Sequence, residues 1–268
     1  MKSGQTSPSD PKTQKESESL REFVMNHIQV SKRTLNETHQ LLKKVGLLNL
    51  LLLFLVSSLW ITYVIYFNHV SNFVLWVCQG NVLVANLLLP VFQSTPLFFC
   101  FHFIFKKNYR SLFSKVRISD SCIYIALGIL IELAVSLLIV MLLKGVIKPN
   151  TNPIVDAPIG ISLYSLPIGL VGEQIFFFSV CFFFFLLCLK LKCNMNLAAI
   201  TTFVLGILIF GVAHLSAYNG NALRCILLIG FPFTLIQVLL FLRSGNLMIG
   251  YLEHLFFDLL VIFIARFG

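Results

Sequence analysis

Seven long runs of apolar residues, broken by few charges, constrain this chain more than any other feature. Gly46–Phe67, about Phe73–Phe105, Ser121–Leu143, about Ile159–Leu189, Leu197–Leu215, about Leu223–Leu242 and Leu247–Ala265 each hold 18 or more residues. At 1.5 Å per residue, such a run forms a helix long enough to cross a bilayer. Apolar residues make up 57% of the 268-residue chain and charged residues only 12%. A soluble fold of this size could not bury that much apolar surface. The spacing therefore predicts an all-α, polytopic membrane helix bundle of about seven (seven to eight) transmembrane helices. The second run is the irregular one: Gln79, Gly80, Asn81 and Pro90 interrupt it. It reads as one kinked helix, or a helix plus a re-entrant piece. Splitting it would give the eighth span and reverse everything after it.

Residues 1–45 form a separate polar segment. Ser3 to Glu18 is rich in Ser, Lys, Asp and Pro and reads as disordered. From Leu20 to Lys44 helix formers dominate, with Phe23, Val24, His27, Ile28 and Val30 loosely at helical spacing. This stretch reads as a solvated lead-in to the first span, with a surface or partner-binding helix as the alternative. No apolar signal-peptide region opens the chain. Residues 46–268 are the transmembrane domain.

The net charge of +9 would point to nucleic acid in a soluble protein. Here the basic residues flank spans and set topology, and no nucleic-acid partner is expected. With the N-terminus inside, 16 Lys and Arg fall on the inner side and 4 on the outer. The bias predicts an N-terminus in the cytoplasm, and the Phe-, Leu- and Lys-rich composition suits an integral protein of a bacterial plasma membrane. The seven cysteines are scattered, mostly within apolar runs, and form no CxxC pair, so they read as small apolar filler. No internal repeat of the transporter kind is evident.

Ionisable residues within spans are costly and mark candidate sites. Glu132, Glu173, Glu253 and Asp258 lie inside the runs, joined by His102, His214 and His254. His254 and Asp258 stand four residues apart, on one helix face. Glu253 points about a quarter-turn away, toward a different partner. Gly211 and Ala213 precede His214 and allow another helix or a substrate to approach closely. Two imidazoles can hold a metal ion, and a carboxylate can activate its water. The alternative is a structural polar cluster. Glu132 alone reads as a structural partner of a neighbouring span, and His102 as an interfacial residue.

Three short motifs in order resemble those of the CPBP intramembrane metalloproteases, the Abi or type II CAAX-prenyl-protease-like family. They are Glu173-Gln174-Ile175-Phe176-Phe177-Phe178, Phe210-Gly211-Val212-Ala213-His214 and His254-Leu255-Phe256-Phe257-Asp258, spread over residues 166–260. The resemblance implies a metal-dependent endopeptidase inside a helical core, cutting a membrane-associated peptide or transmembrane protein substrate. It implies Glu173 as the base that activates water, with Asp258 assisting. It implies His214 and His254 as ligands of a divalent metal ion, Zn2+. Small bacterial members serve bacteriocin maturation or self-immunity. Two positions depart from the family pattern: its second Glu is Gln174 and its Arg is Phe178. Those two look like an ion pair in the family, and losing both leaves no orphan charge. The same departures define the alternative, a catalytically inactive scaffold or immunity protein of the same fold. A third class, an ion-coupled transporter, would use Glu132, Glu173, His214 and Asp258 as a relay.

Depth arithmetic sets a condition on any shared site. Glu173 and His214 lie roughly 24–26 Å from the inner ends of their spans, and His254 only roughly 11 Å from Leu247. An upright last span beginning at the membrane boundary would keep His254 away from the other two.

Overall fold

The computed structural model describes residues 29–66, 69–143, 159–216 and 220–267. The expected disordered start and the loose apolar pattern at Phe23–Ile28 lie outside them. Among the described residues the chain is helical throughout, without strands, apart from one isolated bridge between Phe113 and Asn246. The helices are α1 (Gln29–Val45), α2 (Leu47–Tyr66), α3 (His69–Val77), α4 (Val82–Phe105), α5 (Ile118–Leu142), α6 (Ile159–Lys190), α7 (Met195–Ala213), α8 (Ala222–Ser244) and α9 (Leu247–Phe267). Six are long and apolar enough to cross a membrane, or seven if α1 and α2, bent by 91°, form one broken span. Asparagines open three of them. Asn81, Asn194 and Asn221 accept hydrogen bonds from the backbone N–H of Val84, Leu197 and Arg224.

The second apolar run is not one kinked helix. Gln79 and Gly80 take positive φ values of 53° and 79°, and the helix restarts at the Asn81 cap. At nine residues, α3 is too short to cross (~14 Å), so it adds no eighth span.

Helix α6 is the central one. In its most apolar window 78% is buried, against 50% or less in the other spans. Its phenylalanines explain that position, because each reaches a different neighbour. Phe177 meets Phe210 of α7 and Phe233 of α8 edge-on. Phe178 meets Phe241 of α8, Phe182 meets Phe105 of α4, and Phe183 stacks on Phe54 of α2. Such offset and edge-to-face pairs add to the energy of area burial. A few polar contacts fix the register. Ser57 and Ser179 share a hydrogen bond at 2.7 Å, and Ser94 donates to the Ile168 carbonyl. Tyr251 donates to the Pro167 carbonyl.

Helix α1 is not a solvated lead-in. Thr34, Thr38, Leu41, Leu42 and Val45 are buried, forming one stripe at helical spacing. Leu35 and Thr38 face Phe178, Phe182 and Phe185 across a small crevice. The C-terminal half of α6 is thereby covered by α1. The α8–α9 turn lies against α1 as well. Gly245 closes it in the left-handed conformation, at φ 63°, and a side chain there would meet Ser114.

That turn is recessed. Phe241, one helical turn before Gly245, packs on Phe178 and Phe182. Helix α6 then runs on to Lys190, so its end stands roughly 10 Å beyond the turn. A polar bowl of about 480 Å³ sits over the turn, lined by Thr34, Glu37, Thr38, Lys44, Asn108 and Ser114 among others.

Candidate functional site

The recess removes most of the depth mismatch. Helix α9 begins well inside the level at which α6 ends, so seven residues carry His254 to the level of the other candidates. Glu173 lies within Coulombic reach of both His214 and His254, and Asp258 within reach of Glu173 and His214. The four residues singled out by the sequence thus come from α6, α7 and α9 to one region.

They form two pairs. Glu173 Oε2 stands 3.8 Å from His214 Nε2, and His254 Nε2 stands 3.6 Å from Asp258 Oδ2. Both separations exceed a direct hydrogen bond. Three elements hold the first pair. His214 caps the C-terminus of α7 and donates from Nδ1 to the Phe210 carbonyl, 2.9 Å away. A carbonyl only accepts, so the bond fixes the proton on Nδ1 and leaves Nε2 facing the carboxylate. The Phe210 ring packs on the His214 ring at 4.7 Å and on Phe233 at 3.9 Å. Phe233 meets His254 edge-on at 4.7 Å, so both imidazoles lie against one aromatic stack.

The close approach that this needs is set by two glycines. A Cβ on Gly211 of α7 would stand 2.7 Å from the Ile226 Cα. One on Gly230 of α8 would overlap the Ile207 carbonyl. Both contacts fall at a π-helical stretch, Cys225–Gly230, which widens α8 where α7 presses in. Gly211 therefore serves helix approach, while Ala213 lines a cavity.

That cavity, about 380 Å³, is open on one side and walled by α2, α4, α6 and α7. Glu173 and His214 line it with Trp60, Gln93, Ser94 and Gly172. The carboxylate is 37% accessible and the imidazole 24%, against 10% for His254 and 15% for Asp258. The first pair faces the space, and the second stands behind it.

Among the described residues no three His, Cys, Asp or Glu side chains converge as a metal-holding group. In kind, the donors fit a zinc ion: His214 Nε2 points away from its carbonyl anchor, and His254 Nδ1 is buried with no hydrogen-bond partner.

A second buried polar network lies on the opposite side of α6, and the sequence reading missed most of it. Gln174 Nε2 donates to Gln237 Oε1 at 2.6 Å. Gln237 Nε2 donates to the Gly250 carbonyl and to Glu253 Oε2, both at 3.1 Å. Two donations from one nitrogen fix the orientation of the Gln237 amide, and so that of Gln174. Glu253 also meets Glu132 of α5. Glu132 Oε2 and Glu253 Oε1 are buried without a hydrogen-bond partner. Glu132 thus faces a neighbouring span, and its neighbour there is a second carboxyl. The lone Gln237 in an otherwise apolar run was the available signal. Gln174 belongs to this network, and Phe178 to the aromatic core. His102 sits at the end of α4, exposed, and takes no part in either cluster. All seven cysteines are free thiols.

Comparison of the chain with protein-family models, with curated proteins and with solved structures finds no match.

Proposed function

We propose that the protein is a CPBP-like intramembrane endopeptidase that hydrolyses a peptide bond in a membrane-associated substrate. One observation carries the reading. The Glu173 carboxylate and His214 Nε2 stand 3.8 Å apart and face one cavity in the bundle. A carboxylate and an imidazole nitrogen at that separation leave room for a shared proton, a water molecule or a cation between them, and water activation uses all three. The resemblance of the three motifs adds the order of the residues.

In this mechanism a bilayer-borne peptide segment enters the 380 Å³ cavity beside Trp60 and Gln93. His214 and His254 would hold a divalent cation, zinc by donor chemistry, which supplies Lewis-acid polarisation of water and carbonyl. Glu173 accepts a proton from water as its oxygen bonds to the scissile carbonyl carbon. Glu173 then returns that proton to the leaving nitrogen as the C–N bond breaks. The products are a carboxylic acid and an amine, which exchange a proton to become carboxylate and ammonium, and Glu173 ends as it began. Asp258 positions His254 through Nε2, and the Phe210 carbonyl positions His214 through Nδ1. Gln174 and Phe178 stand outside this chemistry, so the departures from the motif do not remove a group the mechanism uses.

The competing reading, an inactive scaffold or immunity protein, keeps the cavity and drops the water chemistry. Mapping of protein N-termini in cells making native or E173Q protein separates the two. Cleavage products that vanish with E173Q, and with H214A, support the endopeptidase. Identical N-termini in all strains overturn it.

A further inference from the structure

Two cavities flank one ladder of aromatic rings at the end of α4, on the face of α6 opposite the Glu173 cavity. One, of about 520 Å³, is lined by His102, Phe103, Lys106, Tyr109 and Arg110. The other, of about 320 Å³, is apolar, with Phe98, Phe101, Phe113, Val171, Ile175 and Met248 in its wall. A ladder of rings joins them. Phe98 stacks on His102 at 6.4 Å, His102 meets Tyr109 at 5.8 Å, and Tyr109 meets Phe113 at 6.5 Å. The middle two rings line the basic cavity and the outer two line the apolar one.

Three features mark the paired cavities as more than a span end. Lys106 and Arg110 make no ion pair among the described residues. Lys106 is held at φ 45° and ψ −123°, a conformation strained for any residue with a Cβ. That strain turns the chain out of α4 and places Lys106 and Arg110 around one space. Phe98 and Met248, 52% and 46% exposed, leave the apolar cavity open at the outer surface of the bundle.

We infer that the paired cavities are a binding site for one anionic phospholipid. The phosphate sits among Lys106, Arg110 and His102, at the level where a span meets the interface. One acyl chain passes the ring ladder into the apolar cavity, which a soluble phosphate would leave empty. A zwitterionic lipid fits the apolar half equally well and carries the same phosphate, but its own cation is repelled by the two basic side chains.

The test uses delipidated full-length protein in detergent and native mass spectrometry. The probes are equimolar dioleoyl phosphatidylglycerol and dioleoyl phosphatidylcholine. Each basic side chain favours the anionic lipid roughly fivefold. We expect phosphatidylglycerol adducts to dominate and K106Q/R110Q to bring the two lipids close to parity. V171F, which fills the apolar cavity and leaves the charges, should lower retention of phosphatidylglycerol severalfold. Circular dichroism of each variant separates lost binding from lost fold. Parity in the native protein, or a preference unchanged in correctly folded K106Q/R110Q, overturns the site. Glycerol phosphate that displaces phosphatidylglycerol at equal concentration overturns the acyl-chain half and makes the ligand a free phosphate.

Discussion

Gln237 is the node through which α6, α8 and α9 hold one another, and replacing it isolates the energy of that node. Q237L keeps the side-chain volume nearly constant and removes three hydrogen bonds: from Gln174, to the Gly250 carbonyl and to Glu253. Interhelical polar pairs in membranes contribute about 0.6 kcal/mol each, with a ceiling near 1.7. Three of them predict a loss of about 2 kcal/mol, and at most about 5. The upper part of that range applies if Gln174 and Glu253 find no new partner, since a stranded buried group costs about 1–3 kcal/mol. The assay is reversible SDS-driven unfolding in mixed micelles, read by circular dichroism. Q174L in the same assay removes only the first bond. The double variant Q174L/Q237L should therefore cost less than the two single losses combined, by the energy of the shared bond. Leu239, on the same helix but 47% exposed, gives the control, and L239A should change stability by under about 0.5 kcal/mol. A Q237L protein as stable as L239A, or strict additivity with Q174L, would refute the network as a source of stability.

E173Q should lower peptide cleavage by roughly 10²–10⁴-fold, the usual contribution of a general base, with unfolding unchanged in the same micelles. G211L drives a side chain into the Ile226 backbone and should destabilise by about 1–3 kcal/mol, seen as a shifted unfolding midpoint. F178R, at a site 2% exposed and ringed by Phe177, Phe182 and Phe241, buries an unpaired cation. It should fail to accumulate in the membrane, as judged by immunoblot against native protein. Metal content of native protein against H214A/H254A should fall to background in the variant if the two imidazoles share an ion.

The spans were legible because their signal is local. Eighteen apolar residues in a row need no knowledge of neighbours, and Leu197–Leu215 became Met195–Ala213 with a shift of two residues at each end. The break before α4 was legible from Gln79, Gly80 and Asn81, although its length as a short separate helix was not. Helix α1 escaped because its buried stripe begins with Thr34 and Thr38, which look solvent-facing until α6 and α8 are placed beside them. The Gln174–Gln237–Glu253 chain escaped for a similar reason: register between helices decides which amide meets which carboxyl. The candidate site was legible as a set of residues, since a carboxylate or imidazole in an apolar run stands out alone. Its geometry was not. The depth arithmetic took every span to begin at one plane, and the α8–α9 turn does not.

That recessed turn has a consequence for how the helices match a bilayer. Helix α6, at 32 residues, is roughly 48 Å long and overhangs a ~30 Å hydrocarbon layer by roughly 18 Å. Helix α9, at 21 residues, is roughly 32 Å long and matches that layer. By length, the turn that starts α9 fits the membrane boundary, and the overhanging end of α6 and the polar bowl beside it fall on the aqueous side.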